Sequence, residues 1–235
     1  MKKMCFALII VLFCLPMIPI VSTNASDVNT IFSAQSVRYE EQTKILGNLN
    51  FSVLEEEPTQ KAFDCFDVQD DGRIAIGMSN GQNKIICIYD STEFQYGYSF
   101  ESSGSFGVEW DADCINICLV RSDLIVSIAP EGKIKEVLEI EDTIDNSKHW
   151  RNTVFSTKKT VGSNQYEAKN QLGIFNLFAS SYSQLIVTDA TGSETIIYDA
   201  TNAQLVKSII VFTSIIIFIS IVLYVIIKKW RSKLL

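Results

Sequence analysis

One uninterrupted apolar stretch near the C-terminus constrains this chain more than any other feature. Residues 208–227 (SIIVFTSIIIFISIVLYVII) form a run of 20 residues without a charge. At ~1.5 Å per helical residue, such a run spans the ~30 Å hydrocarbon core of a bilayer. Four basic residues and no acidic one follow in 228–235. Because basic flanks stay in the cytoplasm, the sequence predicts one transmembrane helix, a cytoplasmic tail and an extracytoplasmic domain before them.

The first 25 residues have the layout of a secretory signal peptide. Two lysines open the chain, residues 4–21 are apolar, and a small-x-small cleavage site occupies 23–25. An uncleaved membrane helix is the alternative, but two prolines interrupt the apolar run. We therefore expect residues 1–25 to be removed and the protein to lie in the cell membrane, with most of the chain outside.

The segment between the apolar ends is acidic. Residues 27–199 hold all 27 acidic residues and 13 of the 20 basic ones, a net charge of −14. This charge excludes nucleic acid as a partner, because phosphates select basic surfaces. It also excludes flat electrostatic docking onto anionic lipid. Solubility explains most acidic surfaces, and a cationic ligand is also compatible with this one.

Short strands joined by tight turns fill residues 51–205, which we predict to be one β domain after a polar lead-in at 26–50. We predict no amphipathic helix outside the membrane span. The pattern repeats after about 40 residues, as in propeller blades. The first unit has predicted strands at 63–68, 73–78, 84–89 and 94–100, and the second at 106–110, 114–120, 124–128 and 134–140. A looser third unit has them at 150–156, 165–169, 174–180, 184–188 and 194–198.

Four segments of these units resemble the β-propeller repeat families of the NHL-like and YVTN-like kind. They are 70–77 (DDGRIAIG), 88–94 (IYDSTEF), 130–134 (PEGKI) and 188–192 (TDATG). The resemblance implies an all-β fold of antiparallel four-stranded blades, and it implies no activity, because propellers host many functions.

The number of blades departs from the propeller pattern. The sequence offers three, whereas closed rings typically have roughly four to eight. Three alternatives could account for this number. Residues 49–54 (LNFSVL) could complete a distorted fourth blade, the blades could form an open stack, or blade edges could pair with another chain. A β-sandwich of hairpins is the architectural alternative.

Four cysteines lie in the predicted outer domain: Cys65, Cys87, Cys114 and Cys118. Cys114 and Cys118 lie four residues apart in one predicted strand, so they are ~13 Å apart and cannot bond each other. A Cys65–Cys87 disulfide, a disulfide between blades, and four half-buried free thiols remain open. With one histidine and no C-x-x-C, we expect no zinc site or other metal site.

Catalytic patterns are weak in this sequence. His149 is the only histidine, so any Ser-His-Asp or Cys-His arrangement depends on it, and a surface or loop position is the common alternative. The Asp70-Asp71-Gly72 and Asp111-Ala112-Asp113 segments are best explained as tight turns. No nucleotide-binding motif is present, and we expect no cofactor.

Aromatic side chains are the remaining candidates for a binding surface. Trp110, Trp150, Tyr96 and Tyr98, together with His149, are the candidate binding residues, although such rings more often pack between blades. The sequence favours a non-catalytic, single-pass cell-envelope protein whose outer domain docks another protein or a second copy of itself. A surface receptor for a small ligand, glycan or cation is the first alternative. An envelope hydrolase that uses His149 with an acid is the second.

Overall fold

The computed structural model describes residues 32–231. The predicted signal peptide, its cleavage site and the last four tail residues lie outside this range. The strands are β1 Ala34–Ser36, β2 Ser52–Leu54, β3 Cys65–Val68, β4 Arg73–Asn80, β5 Asn83–Asp90, β6 Glu93–Glu101, β7 Phe106–Asp111, β8 Cys114–Leu119, β9 Leu124–Ile128, β10 Ile134–Ile140, β11 Lys158–Val161, β12 Asn164–Lys169, β13 Gln184–Thr188 and β14 Glu194–Asp199. The helices are α1 Tyr39–Leu49, α2 Ile144–His149, a π-helical turn Trp150–Val154, a 3-10 helix Gly173–Phe178 and α3 Thr201–Arg231.

The strands form three antiparallel sheets, each built on a four-stranded meander. Sheet 1 has the order β2-β6-β5-β4-β3, sheet 2 the order β1-β10-β9-β8-β7, and sheet 3 the order β11-β12-β13-β14. The first strand of each meander, β3, β7 or β11, lies innermost, because β3 packs against both β7 and β11. The predicted strand pattern of the first two units is confirmed, and the mostly β fold with one C-terminal apolar helix is confirmed as well.

Sheet 1 is covered on both faces. Ile74, Ile76 and Met78 of β4 point into a cluster shared with sheet 3, whereas Ala75 points into a cluster shared with sheet 2. A strand buried on both faces carries a continuous apolar run rather than an alternating one, which explains the RIAIGM sequence of β4. The three sheets are therefore layered in the order 2, 1, 3.

The far face of sheet 2 is covered by helix instead of a further sheet. Val154, Trp150 and Phe155 pack there against Cys118 and Ile125. Within residues 32–231 the three sheets do not close into a ring, and there is no fourth sheet. Residues 52–54, predicted as part of a distorted fourth blade, instead extend the outer edge of sheet 1 as β2.

The third unit departs from the predicted strands at two places. The segment predicted as a strand at 150–156 is a π-helical turn, because Thr143 caps helix α2 by accepting a hydrogen bond from Asn146 N, and the chain stays helical through Val154. The segment predicted at 174–180 is mostly a 3-10 helix. The first strand of sheet 3 is β11, which lies between the predicted strands at 150–156 and 165–169.

The lead-in at 26–50 is also not simply irregular. Helix α1 occupies Tyr39–Leu49, which corrects the prediction that no helix exists outside the span. Ile45, Leu46 and Leu49 share one face and pack on the core between sheets 1 and 2. Asn50, with φ of 45°, ends the helix in the left-handed conformation. An apolar face of three residues is too short to indicate a helix from periodicity alone.

The four described cysteines are all buried and free. Cys65 and Cys87 belong to different core clusters on opposite faces of sheet 1, which corrects the option of a bond between them. Burial raises the pKa of the Cys65 and Cys118 thiols, and burial with the nearby Glu57 charge raises that of Cys87 to about 12. The Cys65, Cys87 and Cys118 thiols are therefore protonated and shielded at neutral pH.

Helix α3 is the one helix within residues 32–231 that is long and apolar enough to cross a membrane. Its Thr201–Tyr224 portion has a mean hydropathy of 2.6 and is almost wholly uncovered by protein. By length and composition, this helix is compatible with a membrane span.

Two glycines provide a matched test of the packing. A Cβ added at Gly77 would lie 2.5 Å from Cys65 Sγ, whereas one added at Gly47 in α1 would meet nothing within 4 Å. We expect Gly77→Ala to lower the free energy of unfolding by about 1–3 kcal/mol through overpacking. We expect Gly47→Ala to raise it by about 0.5–1 kcal/mol. Urea unfolding of the detergent-solubilised full chain, followed by tryptophan fluorescence, measures both, and equal midpoints would contradict the packing described.

The raised thiol pKa values predict a dependence of stability on alkaline pH. Unfolded thiols titrate near about 8.5, whereas the buried ones keep their protons. The free energy of unfolding therefore falls as pH rises above that value, by about 1.4 kcal/mol per pH unit for each thiol. Urea unfolding between pH 8 and 10.5 measures the slope. Cys87→Ala is expected to lower the slope, and an unchanged slope would show that Cys87 is not shielded.

Candidate functional site

The three innermost strands meet at one carboxylate. Asp67, in the middle of β3, accepts a hydrogen bond on Oδ1 from Lys159 Nζ of β11 at 2.6 Å. Its Oδ2 accepts one from the backbone N of Trp110 in β7, also at 2.6 Å. The Asp67 and Lys159 side chains are only 14% and 10% exposed. Asp67 therefore joins all three sheets through the two oxygens of one side chain.

A shallow depression opens beside this junction, between the turns that follow β3 and β7. Its volume is about 270 Å³, and its lining includes Asp70, Asp71, Trp110 and Ala112. Gln69 Nε2 crosses it and donates a hydrogen bond to Ala112 O at 2.6 Å. The two Asp-rich segments that the sequence predicted as tight turns have that form, with φ of 94° at Gly72 and 50° at Ala112.

Arg73 ties the two turns together. Its Nε donates to Asp71 Oδ2 at 2.8 Å and its Nη2 to Asp113 Oδ1 at 3.1 Å, while its guanidinium carbon lies 5.3 Å from the centre of the Trp110 ring. Slight burial opposes the shift, but the hydrogen bonds from Arg73 lower the pKa of Asp71 below its usual value. Because Arg73 pairs with Asp71 on the lining and with Asp113 beside it, the depression attracts cations less than its acidic sequence indicates.

The candidate aromatic residues of sheet 1 divide between the rim and the core. The Tyr96 and Tyr98 rings lie on one face of β6 with centroids 5.6 Å apart, as the alternation predicted. Tyr98 is fully buried, and its hydroxyl donates to Ala129 O at 3.0 Å, so it joins sheet 1 to sheet 2. Tyr96 is half-buried, and burial raises its pKa against the opposing charge of Arg73. Tyr96 and Trp110 thus flank Arg73, and Tyr98 is a core residue.

The other two candidates, His149 and Trp150, lie on the face of β7 opposite to Trp110. His149 Nε2 is 2.8 Å from Glu109 Oε1, and these side chains are 8% and 15% exposed. The Phe32 ring covers the imidazole edge-on, with centroids 4.4 Å apart. Trp150 contacts Phe32 and stacks on Phe155 at 5.7 Å. The structure therefore does not bring His149 and Trp150 together with Trp110 and Tyr96.

The sequence reasoning missed Asp67, Lys159 and Arg73. A charge in the centre of the apolar CFDV strand was a signal for Asp67, because a buried carboxylate needs a partner. Its partner Lys159 lies 92 residues after Asp67 in the sequence, so no local sequence pattern identifies the pair. No group of three or more His, Cys, Asp or Glu side chains within residues 32–231 is arranged to hold a metal ion.

Comparisons of this chain with protein-family models, with curated proteins and with solved structures found no match. The resemblance to propeller repeats therefore remains a prediction from the sequence.

Removing the junction carboxylate is expected to destabilise the domain strongly. Asp67→Ala leaves the Lys159 ammonium buried without its partner, and such a loss costs about 3–5 kcal/mol of the free energy of unfolding. The double variant Asp67→Ala with Lys159→Met removes both charges, so we expect it to recover much of that loss.

Urea unfolding of the solubilised full chain measures both effects. Asp145→Ala is the control, because its ion pair with Lys148 is exposed and its loss costs less than about 0.5 kcal/mol. If Asp67→Ala resembled this control, the junction would not hold the sheets together.

Proposed function

We propose that this chain is a single-pass membrane protein whose extracytoplasmic β domain docks another protein and performs no chemistry itself. The supporting observation is the outer edge of sheet 3. Sheets 1 and 2 each receive an additional three-residue strand on their outer edges, β2 or β1. Sheet 3 receives none within residues 32–231, and its outermost strand β14 is six residues long.

An uncovered edge strand presents unpaired backbone N–H and C=O groups. Very short edge strands are one way in which proteins avoid unwanted pairing, and β1 and β2 fit that description. β14 has the opposite character: residues 194–196 are exposed, and the Ile196 side chain is 48% exposed. Such an edge favours addition of a strand from another chain.

The membrane anchor in this proposal is α3. Its length and apolar surface support a membrane span, and the basic residues after the span support a cytoplasmic end. The orientation of the domain on the outside comes from that charge pattern and from the predicted signal peptide.

The geometry favours docking over the two alternatives. The depression of about 270 Å³ beside Asp67 is smaller than the roughly 300–1,000 Å³ of typical ligand pockets, and Arg73 already pairs with the Asp71 carboxylate on its lining. A second depression, of about 410 Å³ beside Leu49 of α1, falls within that range but contains none of the candidate binding residues. The hydrolase alternative requires His149 to reach a substrate, but its imidazole is nearly buried under Phe32. A structural hydrogen bond to Glu109 is the simpler role for this histidine.

Photo-crosslinking in cells tests the docking edge. A benzophenone amino acid at Ile196 is expected to capture one partner protein, or a second copy of this chain if the edge completes itself by self-pairing. Val53 on β2 is the matched control, because it is also an edge residue and is 46% exposed. The crosslinked protein is purified by an affinity tag placed on the C-terminal tail, and the captured species is identified by mass spectrometry.

Capture at Ile196 without capture at Val53 would support the proposal and name the partner. Equal background at both positions, in protein that reaches the membrane folded, would overturn docking at β14.

A further inference from the structure

We propose that the 3-10 helix Gly173–Phe178 is inserted in the lipid leaflet next to the β domain and fixes the domain against the membrane. The inference depends on the proposed membrane anchor and goes beyond it, because a single span alone leaves the domain free to tilt. The residues that carry it are Ile174, Phe175 and Leu177 on this helix and Phe212 on α3.

The 3-10 helix contacts α3 inside the apolar run. The Phe175 and Phe212 rings meet edge to face, with centroids 5.7 Å apart and an angle of 82°. Ser208 and Gln204, one and two turns earlier on the same face of α3, are buried against the β domain. Gln204 Nε2 also donates to Ser181 O at 2.6 Å. The domain therefore follows α3 as far as Phe212.

The length of the span places this contact within the bilayer. A ~30 Å hydrocarbon core needs about 20 helical residues, and the uncharged run before Lys228 begins at Ser208. The 16 residues from Phe212 to Ile227 cover only ~24 Å at ~1.5 Å per residue. Phe212 must therefore lie ~6 Å inside the hydrocarbon boundary, and its partner Phe175 lies at a similar depth.

The chemistry of the 3-10 helix suits that depth. Ile174 and Leu177 are 75% and 87% exposed, and they are among the most exposed large apolar side chains of the β domain. Residues 170–188 contain no charge, although the domain around them carries 27 acidic side chains. Helices that lie in the membrane interface bury their apolar side chains about 5–10 Å into the boundary between headgroups and acyl chains, a depth comparable with that inferred for Phe212.

The conformation of the segment is held from within. Asn176 Oδ1 accepts a hydrogen bond from Leu172 N at 2.9 Å, and its Nδ2 donates to Asn170 O at 3.3 Å. Ala179 N donates to Asn176 O at 3.2 Å. The apolar side chains are thus presented by a turn in which the backbone groups of Leu172, Asn170 and Asn176 named above have partners, which lowers the cost of insertion in lipid.

Quenching by brominated lipid tests the depth of the segment. The full chain carrying Leu177→Trp is reconstituted in phosphatidylcholine vesicles whose acyl chains are brominated near the headgroup. After subtraction of the wild-type signal, we expect the bromolipid to quench at least about half of the added emission. Ile144→Trp is the matched control, because Ile144 is 76% exposed on α2 against sheet 2. Its emission is expected to be unaffected.

Two further measurements separate the outcomes. Adding Ile174→Asp to Leu177→Trp is expected to return quenching to the control level, because a charge draws the segment out of the lipid.

Flotation of the same vesicles reports on the anchor: if the full chain does not float, the membrane anchor itself is wrong. If it floats but the added indole responds only to aqueous acrylamide, the insertion is overturned and the anchor stands. Shielding from both quenchers would indicate a covering protein surface and would also overturn the insertion.

Discussion

The carboxylate of Asp67 is the interaction on which the arrangement of the three sheets depends. Each oxygen binds a different sheet, one through the Lys159 ammonium and the other through the backbone N–H of Trp110. A buried carboxylate is costly unless both oxygens have partners, and here the partners come from the two sheets on either side. The same contact that satisfies the charge therefore sets the register of β3 against β7 and β11. Apolar packing alone is non-directional and would tolerate sliding between the layers.

The parts of this fold that could be predicted from the sequence are those formed by local contacts. The meanders of sheets 1 and 2 were predicted strand by strand, because alternation and tight turns such as Asp70-Asp71-Gly72 are local signals. Sheet 3 was predicted only in part, since β11 is short and polar and the GIFNLF segment has an apolar pattern that suits a strand equally well. Helix α1 was missed because only three of its residues reach the core.

The candidate site was predicted less well than the fold, for a similar reason. Composition named Trp110 and Tyr96 among the candidate binding residues, and the structure places both beside Arg73. Strand alternation puts Glu109 and Trp110 on opposite faces of β7, but it gave no indication that His149 contacts Glu109 and is thereby separated from the other candidates. The partners of Asp67 and Arg73 come from other turns and sheets, so their roles are properties of tertiary structure.

The junction between β14 and α3 limits what partner the proposed docking edge can accept. Only Ala200 separates the strand from the helix, and its N–H donates to Ser183 O. Asp199 accepts hydrogen bonds from Thr201 N at 2.8 Å and from Gln184 Nε2 at 2.9 Å, which lower its pKa although partial burial opposes the shift. No flexible linker therefore lies between the edge strand and helix α3. Six strand residues cover only ~20 Å, so with α3 as the proposed anchor a chain that pairs with β14 runs close to the membrane surface, as a neighbouring membrane-anchored protein does.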